Sequence, residues 1–181
     1  EKIIGLEIQT ELVNLARRNV VLNNLSDVIE IKEADFTDSR KYIEPNTFDI
    51  VITNPPYLKL DGGRVSNNKY KAIARHEIKA ELEDVIREAS LALKNGGKFY
   101  LVYRSSRMEE VFSLMEDYDL TPKRLKPVYP RKDKLSNHFL IEARRRGGTG
   151  LKLESPIFIY KANSQEYTKQ VKKIYGIDQD E

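Results

Sequence analysis

The sequence predicts an α/β fold with a mostly parallel sheet, helices on both faces and a terminal antiparallel hairpin. Short apolar or alternating segments, which are typical of strands, occur at residues 2–8, 28–32, 48–53 and 98–103. Amphipathic segments with helical spacing separate some of them, at residues 10–24 and 77–93. Strands that alternate with helices are typical of a parallel sheet. Two later strand patterns joined by a polar turn, residues 120–129 and 137–145, predict the hairpin.

The first helix is predicted over residues 10–24, with Thr10 as its N-cap. Leu12, Val13 and Val20 fall on one face at helical spacing, so this face is expected to be buried. The arginines of the same segment lie on the opposite face and are expected to stay in water.

The later elements follow the same rules. The helix at residues 77–93 is expected to end at Asn95-Gly96-Gly97, because glycine is common just after a helix. Ser106 is predicted to cap a helix that runs to residue 118. The remaining predicted elements are a short edge strand at residues 156–160 and a last helix at residues 165–175.

The composition indicates one soluble domain of 181 residues with a hydrophobic core. The chain has no cysteine and only two histidines, which excludes disulfides, thiolate metal sites and a histidine-rich metal site. No apolar run approaches the roughly 20 residues that cross a bilayer, and no signal peptide is visible. We therefore expect a cytoplasmic protein with no bound metal and no membrane contact.

The stretch Asn54-Pro55-Pro56-Tyr57 ends the apolar strand at residues 48–53 abruptly. Proline has no N–H to continue a strand ladder, so this turn is stiff and lies at the carboxyl edge of the sheet, where open α/β folds bind ligands. The Asn54 side chain and the Pro55 carbonyl could accept the two hydrogens of a planar exocyclic amine, and Tyr57 could stack on its ring. This pattern predicts catalysis by positioning rather than by a strong base.

Acids mark the ends of two other predicted strands. Glu7, followed by Ile8, ends the first strand, and Asp35, followed by Phe36, ends the second. A strand-end acid often binds the hydroxyls of a ribose, and an acid beside an apolar ring could receive an adenine. Because the carboxyl ends of parallel strands share one edge of a sheet, these residues together with Asn54 predict a nucleoside-containing cofactor.

These segments resemble class I S-adenosylmethionine-dependent amino-methyltransferases. Asn54-Pro55-Pro56-Tyr57 resembles their motif IV, Gly5-Leu6-Glu7-Ile8 their ribose-binding strand end, and Glu33-Ala34-Asp35-Phe36 their adenine-contacting strand end. Arg75-His76-Glu77 and residues 94–98 and 125–138 are similar to the bacterial "methyltransferase small domain" group, which methylates adenine N6 in tRNA. The resemblance implies a Rossmann-like class I methyltransferase sheet, S-adenosyl-L-methionine as cofactor, the tetrapeptide as the catalytic residues, and Glu7, Ile8, Asp35, Phe36 and Asn54 as cofactor-binding residues.

One family feature is not found where the resemblance requires it. Such enzymes begin with a strand and a glycine-rich turn that holds the methionine part of the cofactor, whereas this chain opens at Glu1 on the second strand of that pattern. The Gly147-Gly148-Thr149-Gly150 stretch is misplaced for this role. We therefore expect residues 1–181 to be a single methyltransferase domain without its first strand and glycine-rich loop, derived from a longer protein, and to bind the cofactor poorly alone.

Basic residues cluster late in the chain. If their strands are adjacent, they would form one positive surface suited to a phosphate backbone, to which Tyr129 and Phe139 could add stacking. The candidates for nucleic-acid binding are Lys123, Arg124, Lys126, Arg131, Lys132, Lys134, Arg144, Arg145 and Arg146. RNA, and tRNA in particular, is the expected partner.

The sequence thus predicts transfer of a methyl group to the exocyclic amine of a base, with adenine N6 of tRNA as the first choice. Two other substrates fit the same tetrapeptide, namely the glutamine amide of peptide release factors and an adenine or cytosine of DNA. A non-catalytic RNA-binding module that keeps the fold without the cofactor is an alternative from a different class. The basic carboxyl-terminal half favours nucleic acid over a protein amide.

Overall fold

The computed structural model describes residues 2–55 and 82–177. Its strands are β1 (Ile3–Glu7), β2 (Ile29–Glu33), β3 (Phe48–Thr53), β4 (Leu93–Arg104), β5 (Leu120–Tyr129), β6 (His138–Arg145), β7 (Lys152–Leu153) and β8 (Ile157–Phe158). Its α-helices are α1 (Thr10–Leu22), α2 (Leu82–Ala92), α3 (Met108–Asp117) and α4 (Lys169–Tyr175). Two 3₁₀ segments, Phe36–Lys41 and Ser105–Arg107, follow β2 and β4.

The strands form two sheets. In the first, β1 and β2 pair in parallel, with Ile3 beside Ile29 and Glu7 beside Glu33. In the second, the order is β3-β4-β6-β5-β7, and β8 also pairs with β5. Strand β3 is parallel to β4, whereas β6 is antiparallel to both β4 and β5. The predicted α/β class and the antiparallel hairpin of β5 and β6 are therefore confirmed.

The main core lies between the second sheet and helices α2 and α3. On β4, Phe99, Leu101 and Tyr103 alternate inward and are at most 1 % exposed. Phe139 and Ile141 of β6 pack into the same cluster. Replacing one such buried aromatic residue by alanine typically costs about 3–5 kcal/mol, so β4 and β6 form the stable centre of the fold.

Strand β3 has an open side. Among the residues that the structure describes, β4 is the only strand that pairs with it. Two apolar side chains on one of its faces are exposed, Ile50 by 50 % and Ile52 by 76 %. The opposite face is partly covered, because Val51 packs against the main core.

Two expected helix boundaries are corrected. Gln9, not Thr10, is the N-cap of α1, and the Thr10 hydroxyl instead donates to the Glu33 carboxylate at 2.6 Å. Helix α2 ends at Ala92 and β4 begins at the next residue, so Asn95-Gly96-Gly97 lies in a bulge of β4 where the register with β3 shifts. Gly96 has a φ of 78°, which glycine adopts without strain.

The later helices also differ from expectation. Ser106 lies within the 3₁₀ segment, and α3 begins at Met108 without a side-chain cap. The last helix starts at Lys169, where the Thr168 side chain accepts a hydrogen bond from the Val171 N–H. The predicted edge strand is present as β8, while residues 77–81 of the second predicted helix lie outside the described residues.

Candidate active site

The stretch that ends β3 lies at the carboxyl edge of the second sheet. Thr53 pairs with Leu101 of the parallel strand β4, so Asn54 follows at the same edge. Asn54 is exposed and Pro55 is buried, which anchors the turn while leaving the amide side chain accessible. Pro56 and Tyr57 lie outside the described residues.

Glu7 ends β1 with a half-buried carboxylate. One of its oxygens accepts a hydrogen bond from the Gln9 N–H at 2.9 Å, which orients the group at the strand end. A carboxylate has lone pairs for several donors, so Glu7 retains capacity for further hydroxyl groups. Ile8 follows it and is 36 % exposed, as a residue lining an open pocket would be.

Asp35 lies just beyond the end of β2, which is parallel to β1. Its Oδ1 accepts hydrogen bonds from the backbone N–H and the hydroxyl of Thr37, at 2.9 and 2.8 Å, and caps the 3₁₀ segment Phe36–Lys41. Phe36 is half-buried and packs against the main core. Asp35 is therefore rigidly placed, and Phe36 has a structural role in addition to the predicted contact with a ring.

A buried acid fixes the segment that follows Asp35. Glu88 of α2 is fully buried and accepts a hydrogen bond from the Ser39 hydroxyl at 2.7 Å. Arg40 and Arg87 approach its other oxygen at 3.6 and 3.3 Å, so its charge is compensated. Sequence reasoning missed this residue, although an acid among the apolar residues of one helix face was a signal for it.

Contacts with α2 connect the segment after β2 to the start of β3. The 3₁₀ segment after β2 packs beside the middle of α2 through Ser39. The chain then runs to the carboxyl end of α2, where the N–H groups of Asn46 and Thr47 donate to helix carbonyls at 2.9 and 3.0 Å, and β3 starts there. Glu7, Asp35 and Asn54 thus mark the carboxyl ends of three strands.

A row of polar residues continues along this edge beyond Asn54. Arg104 ends β4 and pairs in register with His138, which begins β6. The hydroxyls of Ser105 and Ser136 are 2.8 Å apart and join the two strands beyond that pair. Burial and the positive charge of Arg104 lower the pKa of His138 below its usual value. This row was not predicted, although each residue lies at a strand end.

The basic residues that were expected to form one positive surface lie instead at two opposite edges of the sheet. They are separated because β6 runs antiparallel to β5. Arg131, Lys132 and Lys134 lie in the loop after β5, at the carboxyl edge. Lys123 and the arginine run Arg144, Arg145 and Arg146 lie at or near the opposite, amino edge, together with Gly147-Gly148-Thr149-Gly150.

Several of these basic side chains have protein partners. Arg124 and Lys126 of β5 contact the Glu154 carboxylate at 2.5 and 3.1 Å, which lowers the pKa of Glu154 to about 2. Arg145 is 8 % exposed and donates to the Asn46 side chain and the Leu93 carbonyl. Phe139 is fully buried and offers no face for stacking. Because Arg131, Lys132 and Lys134 lie at the same edge of the sheet as Asn54, they are the better candidates for nucleic-acid contact.

The amino edge carries a groove of about 560 Å³. It lies between the end of α3 and the start of β5, and its lining includes Phe112, Leu120 and Arg146. Its position is opposite to Asn54, so it does not belong to the candidate site. Within residues 2–55 and 82–177, no group of acids and histidines could hold a metal ion, and no helix is long and apolar enough to cross a membrane.

The parallel strands, the acids at two strand ends and the Asn-Pro turn at a third define a methyltransferase-type α/β fold. The chain belongs to the family described as UPF0020, RMKL-like, methyltransferase domain, whose model matches residues 1–122.

Curated relatives agree with this assignment. The tRNA1(Val) (adenine(37)-N6)-methyltransferase of Porphyromonas gingivalis strain W83 is 30 % identical over 129 residues, which are 70 % of this chain and 50 % of the relative. The enzyme with the same name from Bacteroides thetaiotaomicron is 28 % identical, over 65 % of this chain and 48 % of the relative. The chain thus spans about half the length of the curated relatives it matches.

Solved structures share the fold. A predicted O-methyltransferase from Agrobacterium tumefaciens superposes with a TM-score of 0.72 and 22 % identity, over 97 % of this chain and 77 % of that one. A methyltransferase from Aquifex aeolicus that depends on S-adenosylmethionine gives a TM-score of 0.54 and 15 % identity, over 80 % and 69 % of the two chains. At these identities the likeness establishes the architecture alone.

Proposed function

We propose that this chain is the catalytic part of an S-adenosylmethionine-dependent N-methyltransferase that modifies adenine N6 in tRNA. The observation that carries the proposal is the placement of Asn54 and Pro55 at the carboxyl end of β3, with Glu7 and Asp35 at the carboxyl ends of the parallel strands β1 and β2. The names of the Porphyromonas and Bacteroides relatives support the choice of substrate. This role would place the protein in the cytoplasm.

The acceptor groups at the strand ends would fit the nucleoside half of S-adenosyl-L-methionine. The Glu7 carboxylate would accept hydrogen bonds from the two ribose hydroxyls, and Asp35 would accept one from the adenine amine. Ile8 would lie beside the adenine ring. When bound, the cofactor supplies a methyl group attached to a positively charged sulfur. No Gly-x-Gly turn occurs near the start of these 181 residues, so the fit concerns the nucleoside rather than the methionine part.

The acceptors at the end of β3 would orient the substrate amine. The Asn54 Oδ1 and the Pro55 carbonyl oxygen would each accept one N–H of the exocyclic amine. These two bonds would turn the nitrogen lone pair out of the plane of the base and hold it in line for transfer. Because Asn54 is exposed, the surplus proton of the methylated nitrogen can leave to solvent. Positioning and hydrogen bonding would thus replace a strong base.

The adenine must leave its stack to reach this turn, at a cost of a few kcal/mol. Tyr57 would recover part of this cost by stacking on the extruded base, a contact worth about 1–3 kcal/mol. Arg131, Lys132 and Lys134, at the same edge as Asn54, would bind the neighbouring phosphates. The basic residues at the amino edge are not needed for this arrangement.

The glutamine amide of release factors is the second candidate substrate. A release factor glutamine methyltransferase from Francisella tularensis is 21 % identical over 66 % of this chain, and a glutamine amide presents the same planar NH₂ to Asn54. DNA and a non-catalytic RNA-binding role remain as further alternatives to be tested in the same assay. The basic carboxyl edge favours RNA over a protein amide.

A methyl-transfer assay with a labelled donor tests the proposal directly. The full-length protein is incubated in parallel with tRNA, ribosomal RNA, DNA and a release factor. Label is expected in tRNA and should be recovered as N6-methyladenine after digestion to nucleosides. Label in the release factor alone, or in DNA alone, would overturn the proposal. Binding of RNA without transfer in any arm would favour the non-catalytic module.

A further inference from the structure

Three tyrosine rings stack in a row at the carboxyl-terminal end of the described chain. Tyr160 and Tyr167 have ring centroids 5.5 Å apart, and Tyr167 and Tyr175 have centroids 5.8 Å apart, with interplanar angles of 15° and 28°. We call these three residues the tyrosine ladder. Tyr175, at its outer end, is 67 % exposed, so the last ring offers much of its surface to solvent.

A second aromatic pair lies beside the ladder. Tyr129, the last residue of β5, and Phe158 of β8 have ring centroids 5.4 Å apart at an angle of 39°. Backbone pairing of Tyr129 with Phe158, and the hydrogen bond from the Ile159 N–H to the Tyr129 carbonyl, hold this pair in place. The aromatic surface is therefore built on the sheet rather than on a loose tail.

Cations lie against both groups of rings. The Arg131 guanidinium is 5.5 Å from the centroid of Tyr160, and two of its N–H groups donate to the Ser164 carbonyl at 3.2 and 2.9 Å. The Lys132 ammonium is 6.0 Å from the centroid of Phe158. Two independent ring contacts by neighbouring basic residues indicate a surface that is both aromatic and positive.

Basic side chains outnumber acids in the segments that carry these rings. Residues 130–137 and 156–177 contain seven basic side chains and two acids, Asp133 and Glu166, and the adjoining residues 178–181 add three acids. Lys161 and Lys172 both contact the Glu166 carboxylate, at 2.7 and 3.2 Å, which lowers its pKa and keeps it ionised. Leu135, 90 % exposed within the same loop, adds an apolar side chain to the surface.

The position of this surface relates it to the candidate active site. Because β5 is parallel to β4, Tyr129 lies at the same edge of the sheet as Asn54. Strands β4 and β6 separate β3 from β5, so at about 4.8 Å per strand the two sites are about 14 Å apart across the sheet. Arg104 of β4 and His138 of β6 lie between these two sites.

We infer that the tyrosine ladder, the Tyr129–Phe158 pair and the cations Arg131 and Lys132 form a platform for unpaired nucleotides that flank the methylated base. Rings that are open on one face, combined with cations, are the features with which proteins hold single-stranded RNA. A purely structural stack would not need two basic residues over its rings or an exposed outer ring. This inference rests on the proposed function, since it assigns the ladder to the same RNA.

Equilibrium binding of a fluorescein-labelled, unpaired oligoribonucleotide, followed by anisotropy without cofactor, tests the platform. Tyr175→Ala should weaken binding about tenfold, while Tyr175→Phe, which keeps the ring, should bind like the unchanged protein. Lys132→Ala should reduce the slope of log Kd against log salt by about one. Tyr42→Ala, at an exposed tyrosine outside the ladder, and Arg144→Ala at the amino edge are the matched controls.

The results separate this inference from the proposed function. If the protein methylates tRNA but Tyr175→Ala and Lys132→Ala bind the oligoribonucleotide normally, the platform is refuted and the proposed function stands. If tRNA is not methylated but Tyr175→Ala still weakens binding of the oligoribonucleotide, the proposed function fails and the platform remains supported as an RNA site. Equal loss of binding in the Tyr42→Ala control would refute the platform. Unchanged melting temperatures show that the variants are folded.

Discussion

The Ser39 hydroxyl donates a 2.7 Å hydrogen bond to the fully buried Glu88 carboxylate of α2. This contact joins the 3₁₀ segment that begins beside Asp35 to the helix that covers the second sheet. It thus connects the segment that follows the first sheet to the helix that packs on the second, four residues after the proposed adenine-binding acid. The first prediction concerns this link.

Glu88→Ala should lower the free energy of unfolding by about 3 kcal/mol, because it leaves the Ser39 hydroxyl and two arginines without their acceptor. Glu88→Gln keeps an acceptor for the Ser39 hydroxyl and should lower the free energy of unfolding by a smaller amount. Glu109→Ala removes an exposed acid from α3 and is the control, with an expected change within about 0.5 kcal/mol. Urea unfolding measures all three, and equal losses in Glu109→Ala and Glu88→Ala would contradict the assigned role.

Asn54→Ala should lower methyl transfer about 100- to 1,000-fold, the usual loss when a side chain that stabilises a transition state is removed. Cofactor binding, measured by calorimetry on the same protein, should change little, since Glu7 and Asp35 are the residues proposed to make the main nucleoside contacts. Asn14→Ala, an exposed asparagine of α1, serves as the control. Retained activity in Asn54→Ala would remove this residue from the mechanism.

Residues 1–181 should bind S-adenosylmethionine weakly, because the residues placed at the strand ends reach the nucleoside part alone. Glu7→Gln should weaken binding further, as it removes one charged acceptor from the ribose hydroxyls. Isothermal calorimetry measures both. Tight binding to this chain, or binding that is insensitive to Glu7→Gln, would show that the assigned contacts are incorrect.

The three consecutive arginines at the end of β6 should behave differently from one another. Arg145→Ala should destabilise the protein by about 3 kcal/mol, because it leaves the Asn46 side chain and the Leu93 carbonyl without a buried donor. Arg144→Ala should change stability by less than about 0.5 kcal/mol, because Arg144 is exposed. Thermal unfolding distinguishes them, and similar melting temperatures for the two variants would refute the structural role of Arg145.

Stability should fall as the pH drops through the range where histidine titrates. The pKa of His138 is lowered in the folded protein from its ordinary value of 6.5, so below that pH the unfolded chain binds a proton that the folded chain resists. The free energy of unfolding should therefore decrease from about pH 7 downward and level off below the folded pKa. Glu154, with a pKa of about 2, stays ionised throughout this range.

His138→Gln should flatten this pH dependence, and urea unfolding at a series of pH values measures it. Arg104→Gln should flatten it in part, since it removes one of the two causes of the lowered pKa while leaving burial in place. A pH profile that is the same in His138→Gln and in the unchanged protein would assign the effect to other groups.

The sequence was sufficient for features that depend on local pattern. The alternation of β5 and β6 and the polar turn between them predicted their hairpin. The apolar runs before Glu7 and Asp35 predicted that these two acids lie at the ends of strands. The direction of β6 relative to β4 is a tertiary property, so the separation of Arg131 from Arg144 could not be read from their proximity in sequence. Similarly, Asn95-Gly96-Gly97 is compatible with both a helix end and a strand bulge, and pairing with β3 decides between them.

In the candidate site, too, local features were predictable and tertiary contacts were not. The Asn-Pro-Pro-Tyr stretch predicted that Asn54 and Pro55 lie at the end of a strand, because proline ends a strand whatever surrounds it. Glu88 and the row of Arg104 and His138 acquire their roles only when distant segments meet, so local pattern could indicate a buried acid at Glu88 but not its partners. Residue types therefore predicted candidate acceptors at the strand ends, while the contacts that hold these residues required the structure.

The open side of β3 has a practical consequence for handling the protein. Ile50 and Ile52 stand beside a row of backbone donors and acceptors that no other strand in the described chain engages. Such an edge can recruit the same edge of a second molecule as concentration rises. Work with this chain is therefore best done dilute, with light scattering at several concentrations, so that self-association is not mistaken for a functional oligomer.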